Sequence, residues 1–284
     1  MDGILLIHKE AGLTSHDVVY RVKRKLKLDK VGHTGTLDPF ATGLLILLIG
    51  KATKLAFLFD DLSKTYEGSI VFGKAYDTDD VTGEVLETSN VIPSLNQIES
   101  EIKNFLPRYE QIPPQYSAIK KNGRKAYDIA RSGEKVEFDT RKVEIYSFDI
   151  INYGEALEFK THVSKGTYIR SIARDLGLKL NTFGALSRLK RMMIGAYDLS
   201  QAKTIDEVEL TDLIPDTKLF ESERYIVLND FVVKLVKNGQ YLDSRHIKGD
   251  EPVVILDQNK TPIAFYVKEN EVFVPKYFFR GSEL

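Results

Sequence analysis

The chain has 284 residues, 40 Lys and Arg against 41 Asp and Glu, five His and no Cys. Its length suits one large domain or two unequal ones; 43% hydrophobic and 29% charged residues are ordinary for a globular protein. The lack of Cys excludes disulfides, thiolate metal sites and cysteine nucleophiles, and a formal net charge of −1 argues, taken alone, against a polyanionic partner.

The start, MDGILLIHKE, lacks the basic region and longer apolar core of a secretory signal. The longest apolar run, 44–49, is far short of the roughly 20 residues a spanning helix needs. A cytoplasmic protein without membrane contact is therefore expected.

In chain order, residues 3–8 read as a buried strand. Thr14 or Ser15 then caps a helix with Val18, Val19, Val22 and Leu26 on its apolar side. A loop rich in Gly, Thr and Pro leads into a second buried strand at 44–49, followed by a short helix over 51–59. Residues 65–72 alternate as a strand, 77–84 form an acidic turn and 98–105 a helix. Pro113–Pro114 force an extended segment. A helix is predicted over 124–132, a hairpin from 142–151 and 156–163, and a helix over 167–180 capped by Thr167. Beyond an acidic linker, the tail 225–284 holds short β-rich runs between turns, the spacing of a small β-barrel-like module.

Charge is distributed in blocks. Residues 1–60, 111–135 and 161–200 carry +3, +4 and +5, whereas 61–110, 136–160 and 201–225 carry −6, −3 and −4. Each basic block is either a solvated face or part of a phosphate-binding surface. The second reading predicts that the basic blocks 111–135 and 161–200 share a face with the loop holding Asp38 and that the acidic blocks 61–110 and 201–225 mostly face away.

That loop, GHTGTLDPFATG, is the most unusual segment. Catalytic groups collect on loops held by rigid elements, and Pro39 restricts Asp38 to an extended backbone. Asp38 is a nucleophile, a general base, or merely the start of an Asp-Pro turn. His33 has no paired His or Cys spacing for a metal, and no phosphate-loop or dinucleotide motif is present. In SKGTYIRSIARDLG (164–177), Arg170 and Arg174 fall in the first turns of a helix, where a cation works against the dipole and calls for an anion from elsewhere. Tyr66 in SKTYEGSI is either packing or a stacking platform for a base.

Taken together, these segments resemble the TruB family of tRNA pseudouridine synthases. The likeness extends through GKAYDTDDVTGEV (73–85), QIPPQYSAIKKNGRKAYDIARSG (111–133) and GALSRLKRMMIGAYDL (184–199). It implies an α+β pseudouridine synthase fold with a mixed, largely antiparallel sheet flanked by helices. It also implies a catalytic domain over 1–224 and a small β-rich, PUA-like RNA-binding module over 225–284. The implied reaction isomerises uridine to pseudouridine at position 55 in the T-loop of tRNA, with no cofactor or metal and no obligatory protein partner, in a monomer. By resemblance, Asp38 matches the nucleophilic aspartate and Arg170 the arginine that pairs with it. Tyr66 matches the tyrosine stacking on the target base and assisting proton removal, and His33 the histidine holding the everted nucleotide. Tyr168 and Leu189 match residues lining the uridine pocket. Two other readings remain at this point: a tRNA-binding or folding module whose cleft does no chemistry, and a nucleoside hydrolase releasing free uracil.

Overall fold

A computed structural model describes residues 1–117, 119–121, 124–125, 129 and 138–279. The strands are β1 (Gly3–Lys9), β2 (Val31–His33), β3 (Thr42–Ile49), β4 (Lys64–Phe72), β5 (Lys74–Tyr76), β6 (Val85–Thr88), β7 (Arg108–Gln111), β8 (Lys120–Lys121), β9 (Arg124–Lys125), β10 (Arg141–Tyr153), β11 (Leu157–Val163), β12 (Gly184–Ile194), β13 (Tyr197–Asp198), β14 (Ile214–Pro215), β15 (Arg224–Val227), β16 (Val253–Leu256), β17 (Pro262–Glu269) and β18 (Val272–Phe278). The helices are α1 (Ser15–Lys25), α2 (Phe57–Asp60), α3 (Leu95–Phe105), α4 (Ile169–Lys179) and α5 (Asp230–Lys237).

The large sheet runs β14-β1-β3-β12-β4-β11-β10-β7, with β2 on β3 and β13 on β12. It is mixed and largely antiparallel, as expected; β3 and β12 are joined in parallel through Thr42–Lys190 and Gly43–Arg191. β1 and β3 are covered on both faces, which is why they read as unbroken apolar runs. Leu5, Ile7, Leu45 and Leu47 pack beneath Val18, Val19 and Val22 of α1, and Ile4, Leu6, Leu44 and Ile46 face Phe59 and Ile194. Thr14 caps α1 through a reciprocal capping box with Asp17. Farther along, α3 and α4 press Ile98, Ile102, Ile172 and Leu176 onto Ile70, Phe159 and Leu186 of the sheet.

The tail forms a second sheet, β15-β16-β17-β18. One face packs against Val232, Val233 and Val236 of α5. The other sends Val254, Phe265 and Tyr277 against Ala52, Leu55 and Phe220 of the preceding chain. The short β runs were legible, whereas α5, lodged between β15 and β16, was not anticipated.

Several expectations need correction. The helix expected over 51–59 is a 3-10 helix, Gly50–Leu55, followed by the single turn of α2. The N-cap of α4 is Tyr168, whose side chain makes no cap bond; Thr167 Oγ1 instead donates to Ser164 O at 2.9 Å. Of the helix expected over 124–132, Arg124 and Lys125 form β9 paired to β8, and most of the rest lies outside the described residues. β12 had been assigned no secondary structure, yet it is the strand between β3 and β4.

The crossing of α4 over the start of β12 is close enough to exclude side chains. A Cβ at Gly177 would lie 2.2 Å from Gly184 N and 2.5 Å from Phe183 C, both backbone atoms. Gly177→Ala is expected to destabilise the fold by about 1–3 kcal/mol, the usual cost of overpacking; urea unfolding followed by circular dichroism measures it.

Candidate active site

The 32–43 loop is pinned along its length. β2 pairs its start with β3. The Leu37 N–H donates to Ser15 Oγ at 2.9 Å, and Ser15 sits in the first turn of α1. The carbonyl of Pro39, next to Asp38, accepts from Gly12 N at 2.8 Å and from Lys9 Nζ at 3.2 Å. Lys9 is fully buried; burial, only partly offset by the nearby Asp38 carboxylate, pushes its ammonium down to about 8. Arg191 of β12 grips both ends of the loop. Its Nε donates to Leu44 O at 2.8 Å, and its Nη atoms donate to Thr36 O and Gly35 O at 3.3 Å. Gly43 takes φ +112° where the loop enters β3, and a Cβ there would lie 2.3 Å from Arg191 O.

This framework presents Asp38 to Arg170. Nε donates to Oδ2 and Nη2 to Oδ1, each at 2.9 Å, a bidentate fork. The Arg170 side chain is 5% exposed and that of Asp38 30%. The carboxylate thus keeps an open side while the guanidinium is enclosed. Arg170 also donates to Thr78 O at 2.8 Å and Tyr116 O at 2.9 Å, and lies 3.8 Å from the Asp80 carboxylate. Carboxylates from two loops therefore offset a cation in the first turn of α4, where the dipole opposes it.

Tyr66, Leu189 and Tyr168 are tied to this pair by packing or charge. Tyr66 on β4 and Leu189 on β12 are 8% and 5% exposed, in one apolar cluster with Leu37 and Ala41, which flank Asp38. Tyr168 immediately precedes Arg170's helix. Its backbone N–H donates to Gln111 Oε1 at 2.8 Å, and burial pushes its phenol up, with a smaller push from Asp38. His33 stands at the start of the loop. Burial, then the Arg191 charge, lowers its imidazole below the usual range, so it is neutral at pH 7. Its Nδ1 is buried without a hydrogen bond. Among the described residues, no group of three or more His, Asp or Glu is arranged to hold a metal ion.

The charge-block expectation needs one correction here: within the acidic block 61–110, Thr78, Asp79 and Asp80 do not face away but pack directly on the arginines of α4. The physical reason is that buried guanidinium groups require anions. Twelve of the 25 residues of the basic block 111–135 lie outside the described residues. Reading the sequence also overlooked Lys9, Asp80 and Arg191. For Arg191 a signal existed: in a strand over 184–194 it lies two residues after Leu189 and so on the same face, unlike Arg188 and Lys190.

Replacing Arg191 would leave the carbonyls of Leu44, Thr36 and Gly35 without their donor. Thr36 is exposed and Gly35 half-buried, so the loss falls mainly on Leu44 O; at about 1–3 kcal/mol for an unsatisfied buried group, Arg191→Met is expected to lower stability by that amount, which chemical denaturation checks.

Known proteins resemble this chain in sequence and in fold. Residues 23–169 match the family model "TruB family pseudouridylate synthase (N terminal domain)". The chain is 55% identical over 279 residues to tRNA pseudouridine synthase B of Acholeplasma laidlawii (strain PG-8A), covering 98% of this chain and 100% of that protein. It is 50% identical to the protein of that name from Aster yellows witches'-broom phytoplasma (strain AYWB), with 98% and 100% covered. Among solved structures, a chain of a Cbf5-Nop10-Gar1 complex superposes with a TM-score of 0.69 at 22% identity, covering 98% of this chain and 84% of that one. A chain of an H/ACA RNP bound to a substrate RNA containing 2′-deoxyuridine superposes at 0.68 and 21% identity, with 99% and 87% covered; at these identities the likeness speaks to the fold. With the family model matched over half its length and relatives aligned nearly end to end, the chain belongs to the TruB family of pseudouridylate synthases.

Proposed function

We propose that this chain converts uridine to pseudouridine at position 55 in the T-loop of tRNA. The observation that carries the reading is the Asp38–Arg170 fork, a carboxylate oriented by a buried guanidinium yet open on one side. The reaction breaks the N1–C1′ bond, turns the uracil and joins C5 to C1′. A proton leaves C5 and another is taken up at N1, so the composition is unchanged and no electrons are exchanged. It calls for no cofactor or metal.

Asp38 acts as the nucleophile. Arg170 holds the carboxylate at a fixed angle, which a flexible ammonium would not do. The target uridine lies within a folded RNA loop and has to leave its stack, at a cost of a few kcal/mol. Tyr66 stacks on the flipped base and assists removal of the C5 proton; its place in the apolar cluster with Leu189 supports this role. Tyr168 and Leu189 line the uridine pocket. His33, neutral at pH 7, supports the everted nucleotide with a flat ring that adds no charge beside Arg191. The catalytic domain spans 1–224, and 225–284 is a PUA-like module contacting the same tRNA. The chain works in the cytoplasm as a monomer, on the T-stem-loop, without a membrane or an obligatory protein partner.

Asp38→Asn is expected to fold and to bind a T-stem-loop RNA while forming no pseudouridine; near-wild-type turnover would remove Asp38 from the mechanism. Arg170→Lys is expected to slow the reaction on the order of a hundredfold, the scale for losing an oriented charge in a dry site. Incubation with an unmodified tRNA transcript, followed by mapping, should place pseudouridine at one nucleotide. Release of free uracil would mean hydrolysis, and an unaltered transcript would mean a purely RNA-binding role.

A further inference from the structure

Arg170 and Arg174 lie four residues apart on α4 and so share a face one turn apart. They contact the same two segments. Arg170 takes Thr78 O and Tyr116 O and lies beside Asp80. Arg174 donates from Nη1 to Asp79 Oδ2 at 2.9 Å, from Nη2 to Ile112 O at 2.8 Å, and from Nε to Asp175 Oδ1 at 2.8 Å. The second segment is further tied by Ser171 Oγ, which donates to Ile112 O at 2.8 Å, and by the Tyr109 hydroxyl, which donates to the Asp175 carboxylate.

The acidic loop is shaped for this double grip. Asp79 has φ +62°, a left-handed conformation uncommon outside glycine. The chain turns there, so that consecutive carboxylates meet consecutive turns of the helix: Asp79 meets Arg174, and Asp80 meets Arg170. Hydrogen bonds from Val81 N to Leu186 O at 2.9 Å and from Leu186 N to Asp79 O at 3.2 Å fasten the same loop to β12. The side chains of Arg174 and Asp79 are 24% and 12% exposed, so the pair is largely shielded from water.

We infer that Arg174 and Asp79 form a positioning pair, which sets where the 78–80 loop and the 112–116 segment stand and thereby how the Arg170 fork meets Asp38. The inference rests on the reading of the Asp38 cleft as the site of isomerisation. Neither residue touches the reacting atoms; the pair acts through Thr78, Asp80 and Tyr116. Four groups face the Asp79 carboxyl. Arg174 and Arg170 favour its charged form, whereas Asp175 opposes it, and Tyr109 stands behind Asp175. Burial outweighs the arginines and pushes Asp79 up to about 6. Above that pH the pair is ionic. Below it Asp79 is a neutral acid, the grip on Arg174 weakens, and the rate falls as pH drops through about 6.

The test is single-turnover kinetics with excess full-length chain on an unmodified tRNA transcript, comparing wild type, Arg174→Met, Asp79→Asn and the double variant. Each single variant is expected to bind the transcript with the wild-type Kd and to slow the chemical step ten- to a hundredfold, the order of loss that follows a small misplacement. The double variant is expected to be no slower than the worse single one, because the two residues act as one unit. Asp79→Asn is also expected to lose the wild-type rate limb near pH 6. Folded variants turning over at the wild-type rate, a loss confined to Kd, or a limb that persists in Asp79→Asn would each overturn the inference. If Arg174→Met does not fold, Asp79→Asn, nearly unchanged in shape, decides by the same criteria. A wild-type chain that leaves the transcript unmodified overturns the reading of the cleft and this inference with it; an active wild type with unaffected variants overturns the inference alone.

Discussion

A buried arginine, in the first turn of a helix whose dipole opposes it, is the group around which the site is arranged. No single element meets the needs of Arg170. The Asp38 carboxylate comes from the loop between β2 and β3, the Asp80 carboxylate and Thr78 carbonyl from the turn between β5 and β6, and the Tyr116 carbonyl from the segment after β7. Segments far apart in the chain are thus drawn to one side chain. The orientation of Asp38 is a by-product of stabilising that cation. A stability requirement and a catalytic requirement are met by the same hydrogen bonds.

Much of the fold was legible because its local signals agree with its tertiary placement. β1 and β3 read as buried because they are covered on both faces. α1 carries a cap, a first-turn acid and a valine stripe that all point the same way. The hairpin of β10 and β11 alternates as a half-buried ribbon. The loop with Asp38 stood out through its composition and Asp-Pro step, but the roles of its residues came from the resemblance. What escaped detection follows from pairing across long separations. Lys9 looks like the charged end of a strand, and only its contacts with Leu13 O and Pro39 O show it to be internal. Arg191 breaks the apolar pattern of β12 because its partners are carbonyls 147 to 156 residues away in sequence. Asp79 and Asp80 looked like a solvated turn because nothing local reveals that two arginines nearly a hundred residues later will lie on them.

Charge counting misled for the same reason. The +5 block at 161–200 was counted as surface. Three of its seven cations, Arg170, Arg174 and Arg191, are committed to internal partners. The acidic block meanwhile spends Asp79 and Asp80 inside the protein. Neither block's sign measures what a polyanion would meet. A charged residue contributes to the outer field only after its internal commitments are subtracted, and that subtraction requires the fold.

The parallel join of β3 to β12 carries a consequence for synthesis. Thr42 and Gly43 lie across from Lys190 and Arg191, so a chain emerging from its N-terminus exposes the Asp38 loop long before its partner strand is made. Arg170 and Arg191 arrive late in translation, and contacts of such sequence separation close slowly. The nascent chain therefore holds the Asp38 carboxylate without its guanidinium partner until well over half of the polypeptide has left the ribosome.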